Sequence, residues 1–269
     1  MTCLLHISDT HFGTEQPEVV VALLALARDH APDLLVLSGD VTQRARRRQF
    51  RAARDFLEIV PALATMVLPG NHDIPLFNLA ARIFAPYRNY QEVLAEPLEA
   101  EFESDELLVL GVNSTRPRRH TVGEVSAAQV VRVAERLRQA GDRQLRVVVA
   151  HQPVRATRDS DRKNLLRGHE AAVRAWADAG ADLILGGHIH LPHLRPLKEV
   201  FPDLPRRIWS VLAGTAVSSR VRGDVPNSVN LIHYSSTDDP PCCTVERWDF
   251  GPPGRFLLAQ RQLLLLQRP

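Results

Sequence analysis

Met66-Val67-Leu68-Pro69-Gly70-Asn71-His72-Asp73 is an apolar run that stops abruptly and then presents an amide, an imidazole and a carboxylate on consecutive residues. A strand ending in such a loop carries chemistry at its tip. Gly70 allows a turn closed to most residues, and the side chains after it are a metal-ligand type, a titrating group and an orienting anion. The design recurs elsewhere in the chain. Cys3 to Ser8 runs into Asp9-Thr10-His11, and Leu34 to Leu37 into Ser38-Gly39-Asp40. Leu145 to Ala150 runs into His151-Gln152-Pro153, and Leu183 to Leu185 into Gly186-Gly187-His188-Ile189-His190.

Working outward from these strands, the intervening stretches read as helices. Pro17 suits a helix start, and the segment to His30 is apolar almost all round. Strand, helix and strand in that order imply parallel neighbours joined by right-handed crossovers. A helix is expected over 43–59, with Phe50, Ala53, Phe56 and Leu57 inward, and others over 76–84 and 90–95. Ser126 and Gln129 form a capping box for a helix to Ala140, closed by Gly141, and a further helix runs from about His169 to Ala179. Past His190 the prolines multiply and helical patterns vanish. Strands at 208–213, 228–234 and 242–250, the last two a hairpin, supply antiparallel partners to a second sheet. The expected fold class is α/β, with two packed mixed β-sheets flanked by helices.

A chain of 269 residues, 45% of them apolar, suits one domain over 1–269. Within it, 1–190 bear the ligands and 191–269 complete the second sheet and add a C-terminal tail. With 33 basic and 31 acidic residues, no global charge draws the chain to nucleic acid or membrane, so any preference must be local. Three cysteines, two of them adjacent, fit a reduced, cytoplasmic protein without disulfides. No signal peptide is expected, because a ligand-bearing strand begins directly after Met1. The tail from Phe256 to Leu266 is too short and too polar to span a bilayer. It either covers the core or meets a second subunit, which leaves a homo-oligomer open.

In open α/β sheets the functional crevice lies beyond the carboxyl ends of the strands. The polar groups gathered there are Asp9, His11, Asp40, Asn71, His151, His188 and His190. Carboxylate, amide and imidazole donors without a thiolate suit manganese, iron, zinc or cobalt better than calcium. This set exceeds the needs of one ion that must also hold water and substrate, so two divalent metal ions sharing a bridging carboxylate are expected. Such a pair, roughly 3.5 to 4 Å apart, generates hydroxide near neutral pH and clamps an in-line displacement at phosphorus. His72 is left over as a catalytic residue. Beside Asp73 it can stay protonated and supply the leaving alkoxide with a proton.

These blocks, Asp9-Thr10-His11, Gly39-Asp40, Gly70-Asn71-His72-Asp73, His151 and Gly187-His188-Ile189-His190, resemble those of the calcineurin-like metallophosphoesterases, in the same order, over residues 3 to about 190. The resemblance implies a four-layer αββα sandwich. It also implies that Asp9, His11 and His190 hold one ion, that Asn71, His151 and His188 hold the other, and that Asp40 bridges them. His72 would act as an acid or orient phosphate. The spellings Ser8-Asp9-Thr10-His11 and Gly187-His188-Ile189-His190 are similar to those of bacterial class III cyclic nucleotide phosphodiesterases and their glycerophosphodiesterase relatives.

The expected substrate is therefore a small anionic phosphodiester. Arginines near the strand ends offer phosphate contacts. One cluster lies in 44–54, a second is Arg116, Arg118 and Arg119, and a third is Arg155, Arg158, Arg162 and Lys163. Asn71, His72, Arg46, Arg116 and His193 form the candidate substrate-binding set. The remaining histidines, His6, His30, His120, His169 and His233, read as structural. Alternatives are a nuclease, or a phospholipid or nucleotide-sugar pyrophosphate hydrolase with the same metals, and beyond these an inactive scaffold. Balanced charge and the lack of aromatics among the basic clusters disfavour the nuclease.

Overall fold

The first strand, β1 (Thr2–Ile7), shows why the chain stacks in layers. Leu5 and Ile7 enter one apolar cluster and Leu4 another, because successive side chains of a strand face opposite ways. The neighbouring β2 (Leu34–Leu37) repeats this, with Leu35 and Leu37 on the first side and Leu34 and Val36 on the second. A sheet buried on both faces must have a layer above and below it.

A computed structural model describes residues 1–267, so the last two residues of the range 191–269 lie outside it. It has two mixed six-stranded sheets with helices on their outer faces. In the first sheet β3 (Ala64–Val67) follows β2 and β1 in parallel, and β10 (Ser228–Tyr234), β11 (Cys242–Gly251) and β12 (Arg255–Leu265) continue antiparallel from β1. The second sheet has the order β4 (Glu101–Glu103), β5 (Leu107–Val112), β6 (Leu145–Ala150), β7 (Leu183–Gly186), β9 (Trp209–Leu212) and β8 (His193–Pro196). Its four inner strands are parallel and its edges antiparallel.

The sheets meet over Leu4, Val36, Met66, Val109, Val147, Val149, Leu185, Val211 and Ile232. Outside the first sheet lie α1 (Pro17–His30) and α2 (Arg47–Ile59), which bury Leu23, Leu26, Phe50 and Phe56 against it. Outside the second lie α5 (Ala127–Arg138) and α6 (His169–Asp178), with Val133, Leu137, Val173 and Trp176 inward. Each such side chain contributes about 1.5–3 kcal/mol of burial.

Several elements differ from the sequence reading. Of the strands expected to complete the second sheet, the one at 208–213 (β9) does so but parallel to β7, while those at 228–234 and 242–250 (β10, β11) join the first sheet beside β1. The helix expected from 43 begins at Arg47, because Ala45 takes a left-handed φ of 51° and Gln49 turns its side-chain oxygen back onto the Arg44 and Arg46 amides. The helix expected from 76 is α3 (Leu79–Phe84), capped by Asn78 accepting from the Ala81 amide at 3.0 Å. The one expected at 90–95 is α4 (Arg88–Leu94). The C-terminal tail is a strand, β12, paired along β11 and held by the Arg261–Glu246 ion pair at 2.7 Å. Its alternation is hidden because the register shifts between Arg247 and Trp248, leaving Ala259 unpaired, so that Phe256 and Leu264 enter different apolar clusters.

Candidate metal centre

The loops after β1, β2, β3, β6 and β7 converge at one end of the sandwich. Their backbones are tied together: the Asp9 amide donates to Gly39 O (3.0 Å), His11 to Asp40 O (2.9 Å) and Gly187 to His151 O (2.9 Å). Asp9, His11, Asp40, His188 and His190 all have positive φ, between 42° and 71°. Each costs about 1–3 kcal/mol and persists only where the surroundings over-determine it. Close contact explains two glycines. A Cβ on Gly70 would strike Asp40, and one on Gly187 would strike Ser8 Oγ and Asp9 Oδ2.

Asp9 Oδ1 lies 3.3 Å from His190 Nε2 and 3.7 Å from His11 Nε2, and the two imidazole nitrogens are 3.3 Å apart. Asp40 stands between two groups, with Oδ2 3.7 Å from His11 Nε2 and Oδ1 3.3 Å from His151 Nε2. Asp9, His11 and His190 can each bring a donor atom within 4.8 Å of the others, as can Asp40, His151 and His188. His11, Asp40 and His72 form a third such group. Asn71 is buried beside them.

Buried polar atoms are nearly always hydrogen-bonded. Here Asp9 Oδ1, Asn71 Oδ1, His151 Nε2 and His188 Nδ1 have no hydrogen-bond partner. Each orphan costs roughly 1–3 kcal/mol unless something binds it. A cluster of unpartnered carboxylate, amide and imidazole atoms fits divalent cations.

The outer contacts aim these donors. His151 Nδ1 lies 3.0 Å from Ser38 O, which places its proton there and leaves Nε2 free as a ligand. His190 Nδ1 sits against Thr215 Oγ1 at 2.6 Å and the Arg220 carbonyl, with the same effect. The His188 amide donates to Asp9 Oδ2 (2.9 Å) and the His72 amide to Asp40 Oδ1 (2.8 Å). Burial alone would raise the Asp40 carboxyl, but His151, His72 and His11 hold it well below the usual range. Burial would lower His151, yet Asp40 drives it up to about 9, while burial takes His188 down to about 3. A cation entering this cluster therefore displaces a proton from His151.

His72 borders the donor set. Its ring meets that of His11 edge-on at 4.7 Å, Nδ1 is 3.0 Å from Gln43 O, and Nε2 is 3.2 Å from Arg220 Nη1. Asp73 requires a correction. Its carboxylate accepts from the amides of Gly70 (2.8 Å), Val41 (3.0 Å) and Thr42 (2.8 Å) and from Thr42 Oγ1 (2.8 Å). It staples the loop after β2 to the loop after β3, and none of these bonds reaches His72.

Arg46, Arg116 and His193 are not drawn into the cluster. Arg46 is exposed at the start of α2. Arg116 donates to the carbonyls of Asn113 (2.8 Å) and Thr115 (2.9 Å) and to Gln129 Oε1 (2.7 Å), bracing the start of α5. His193, on the edge strand β8, has Nε2 3.1 Å from Ser210 Oγ. The sequence reading missed Arg220 and Thr215. Thr215 follows the end of β9, so the strand-end rule extended to that strand would have found it. Arg220 lies in an irregular stretch with no periodic signal.

Fold and donors together define an αββα sandwich with a multi-ligand metal centre at its strand ends, the architecture of a metallophosphoesterase. The family model for calcineurin-like phosphoesterases matches residues 4–192, and the chain belongs to that family. Among solved structures it is similar to a dimetal phosphatase from Danio rerio, with a TM-score of 0.65, 12% identity and 99% of both chains covered. It is also similar to a purple acid phosphatase from yellow lupin, with a TM-score of 0.70 and 10% identity, covering 96% of this chain and 52% of that one. Zinc-complexed Vps29 from Entamoeba histolytica aligns with a TM-score of 0.51 and 11% identity over 97% of this chain and 99% of that one. At such identities the likeness is one of fold. Comparison with curated proteins finds no sequence match.

Proposed function

We propose that this protein is a metal-dependent phosphodiesterase acting on a small anionic phosphodiester. The observation that carries the reading is the convergence of seven donors from both sheets, several with buried atoms that no protein group satisfies. Asp9, His11 and His190 would hold one ion and Asn71, His151 and His188 the other, with Asp40 shared. Manganese, iron, zinc or cobalt fits these donors. Two such ions would supply Lewis acidity, easing deprotonation of water and offsetting charge at phosphorus.

The chain's own groups do the rest. The Gln43 carbonyl fixes a proton on His72 Nδ1 and leaves Nε2 facing Arg220. Arg220 Nη1 also donates to Gln43 Oε1 at 2.9 Å, so its guanidinium is held at the edge of the donor cluster, where it can bond a phosphoryl oxygen. With His72 Nδ1 so held, Nε2 is the ring atom left to meet the departing alkoxide, as an acid or phosphate-orienting role requires. A hollow of about 430 Å³, lined by Lys163, His188, His190, Arg220 and Arg222, opens on one side. A much narrower one, of about 10 Å³, is lined by Gln43, Asn71, His72 and His120. The larger hollow offers room for a second substituent on phosphorus, which supports a diester. Among diesters, the spellings of the first and last motifs favour a cyclic nucleotide or glycerophosphodiester. The free cysteines Cys3 and Cys242 support a reducing, cytoplasmic setting. No helix among the described residues is long and apolar enough to cross a membrane.

The test compares metal-stripped and manganese-loaded protein on bis-p-nitrophenyl phosphate, its monoester analogue, cyclic AMP and glycerophosphocholine. Diester turnover should require metal and vanish in Asp40→Asn. Metal-independent turnover, or a monoester preferred over every diester, would overturn the proposal.

A further inference from the structure

The chain between the metal-bearing loop and α4 projects apolar side chains into solvent. Phe77 is 81% exposed, Leu79 66%, Ile83 69% and Phe84 84%, and α3 buries none of its residues. Single exposed apolar residues are ordinary, but four concentrated in one short segment mark an interaction surface.

Cations surround this patch. The Arg44 guanidinium lies 5.4 Å from the centre of the Phe77 ring. Arg82, Arg116, Arg118 and Arg119 line a hollow of about 880 Å³ together with Ile83. The acid in that hollow, Glu124, is already paired with Arg119 at 2.9 Å. Among the described residues Arg82 donates to the carbonyls of Pro75 and Arg119, neutral acceptors that pair it with no carboxylate. The patch also adjoins the reaction site, since Ile74, Leu76 and Arg44 share the narrower hollow with Asn71 and His72.

The shape and charge select the occupant. A peptide helix needs a groove, whereas α3 is a convex tip that buries nothing of its own. A second copy of the chain would set arginine against arginine. Hydrocarbon, by contrast, deforms around separate protruding side chains to a depth of about 5–10 Å, and anionic headgroups suit the guanidinium collar. We propose that residues 74–84, with Arg44, Arg82 and Arg118, dock the protein reversibly on an anionic phospholipid bilayer, with the mouth of the metal centre turned toward the headgroups. This docking does not depend on which ester is cleaved.

The experiment is flotation of the full-length protein with vesicles of phosphatidylcholine alone or mixed with phosphatidylglycerol. Binding should be at least about tenfold tighter to the mixed vesicles and should weaken with salt. The double variant Phe77→Ser/Phe84→Ser should lose at least about tenfold of that binding, because both anchors are gone. It should keep the melting temperature and the turnover of soluble bis-p-nitrophenyl phosphate. Absence of vesicle binding would overturn the proposal, as would equal binding to both vesicle types. A concentration-dependent dimer that the double variant abolishes would assign the patch to a second copy instead.

Discussion

The strand-end loops and the segment from 74 to 84 share one opening, yet they are built by opposite rules. In the loops most donors are buried, the backbones are bonded to one another, and glycines stand where a methyl group would collide. In the segment, a short helix buries nothing, Arg82 rests on carbonyls, and Arg44 from outside it lies against the exposed Phe77 ring. The loops fix positions to a fraction of an ångström, as chemistry at phosphorus demands. The segment offers surface, which suits recognition and tolerates change.

The comparison breaks most visibly at Gly187. Gly187→Ala puts a methyl group into Ser8 and Asp9. It should lower bound metal and cut diester turnover by at least ~100-fold, because a displacement near 1 Å has that effect. Elemental analysis beside kinetics tests it, and a fully loaded, fully active variant would show the loops to be more yielding than described here. Arg220 stands between the two regions, its carbonyl on the ligand His190 and its guanidinium on His72. Arg220→Ala should reduce kcat/KM by about 10- to 100-fold, since it removes a phosphate donor. Metal content should hold, because the carbonyl remains, and Arg220→Lys should recover part of the loss. A fall in metal content would move Arg220 into the rigid set.

The smallest effect is expected at His193. Burial, with Arg155 and Arg195 adding to it and Asp161 opposing, lowers its pKa to about 4. The unfolded value is about 6.5. The stability gained from keeping His193 neutral is thus complete above the unfolded value and drains away as pH falls toward about 4, where the unfolded chain binds the extra proton. His193→Gln can keep the hydrogen bond to Ser210 and cannot titrate. Its melting temperature relative to the parent should rise as pH falls through that window, while kcat/KM stays within about twofold, as for a residue remote from the chemistry. A larger kinetic change would bring His193 back into the substrate-binding set.

How much of this was legible in the sequence follows from the same contrast. Asp9, Asp40, Asn71, His151 and His188 stand directly after continuous apolar runs, so the topology that brings parallel strand ends together also brings them together. Thr215 lies just past the strand expected at 208–213, where the strand-end rule reaches if extended, whereas Arg220 follows in an irregular stretch and only the fold sets it against His72. Asp73 sits inside a motif, but adjacency in sequence did not reveal that its carboxylate faces Val41 and Thr42. The two packed sheets were readable from the continuous apolar runs of the parallel strands and from the antiparallel strands expected past His190. The edges were not: β4 has three residues, β8 ends in Pro196, and a register shift obscures β12, so partner strands define them more than their own side chains do.

In the first sheet β1 lies between β2 and β10, with His6 facing Asn230. A chain emerging from a ribosome can therefore close one flank of its first strand early, but must wait for residues beyond 228 to close the other. Asp9 and His11 come out near the start, and their companion His190 arrives far later. Such long-range closure slows folding and leaves an exposed strand flank in the meantime. A nascent chain halted short of β10 should be open to proteases along β1, and ion capture should come late in its assembly.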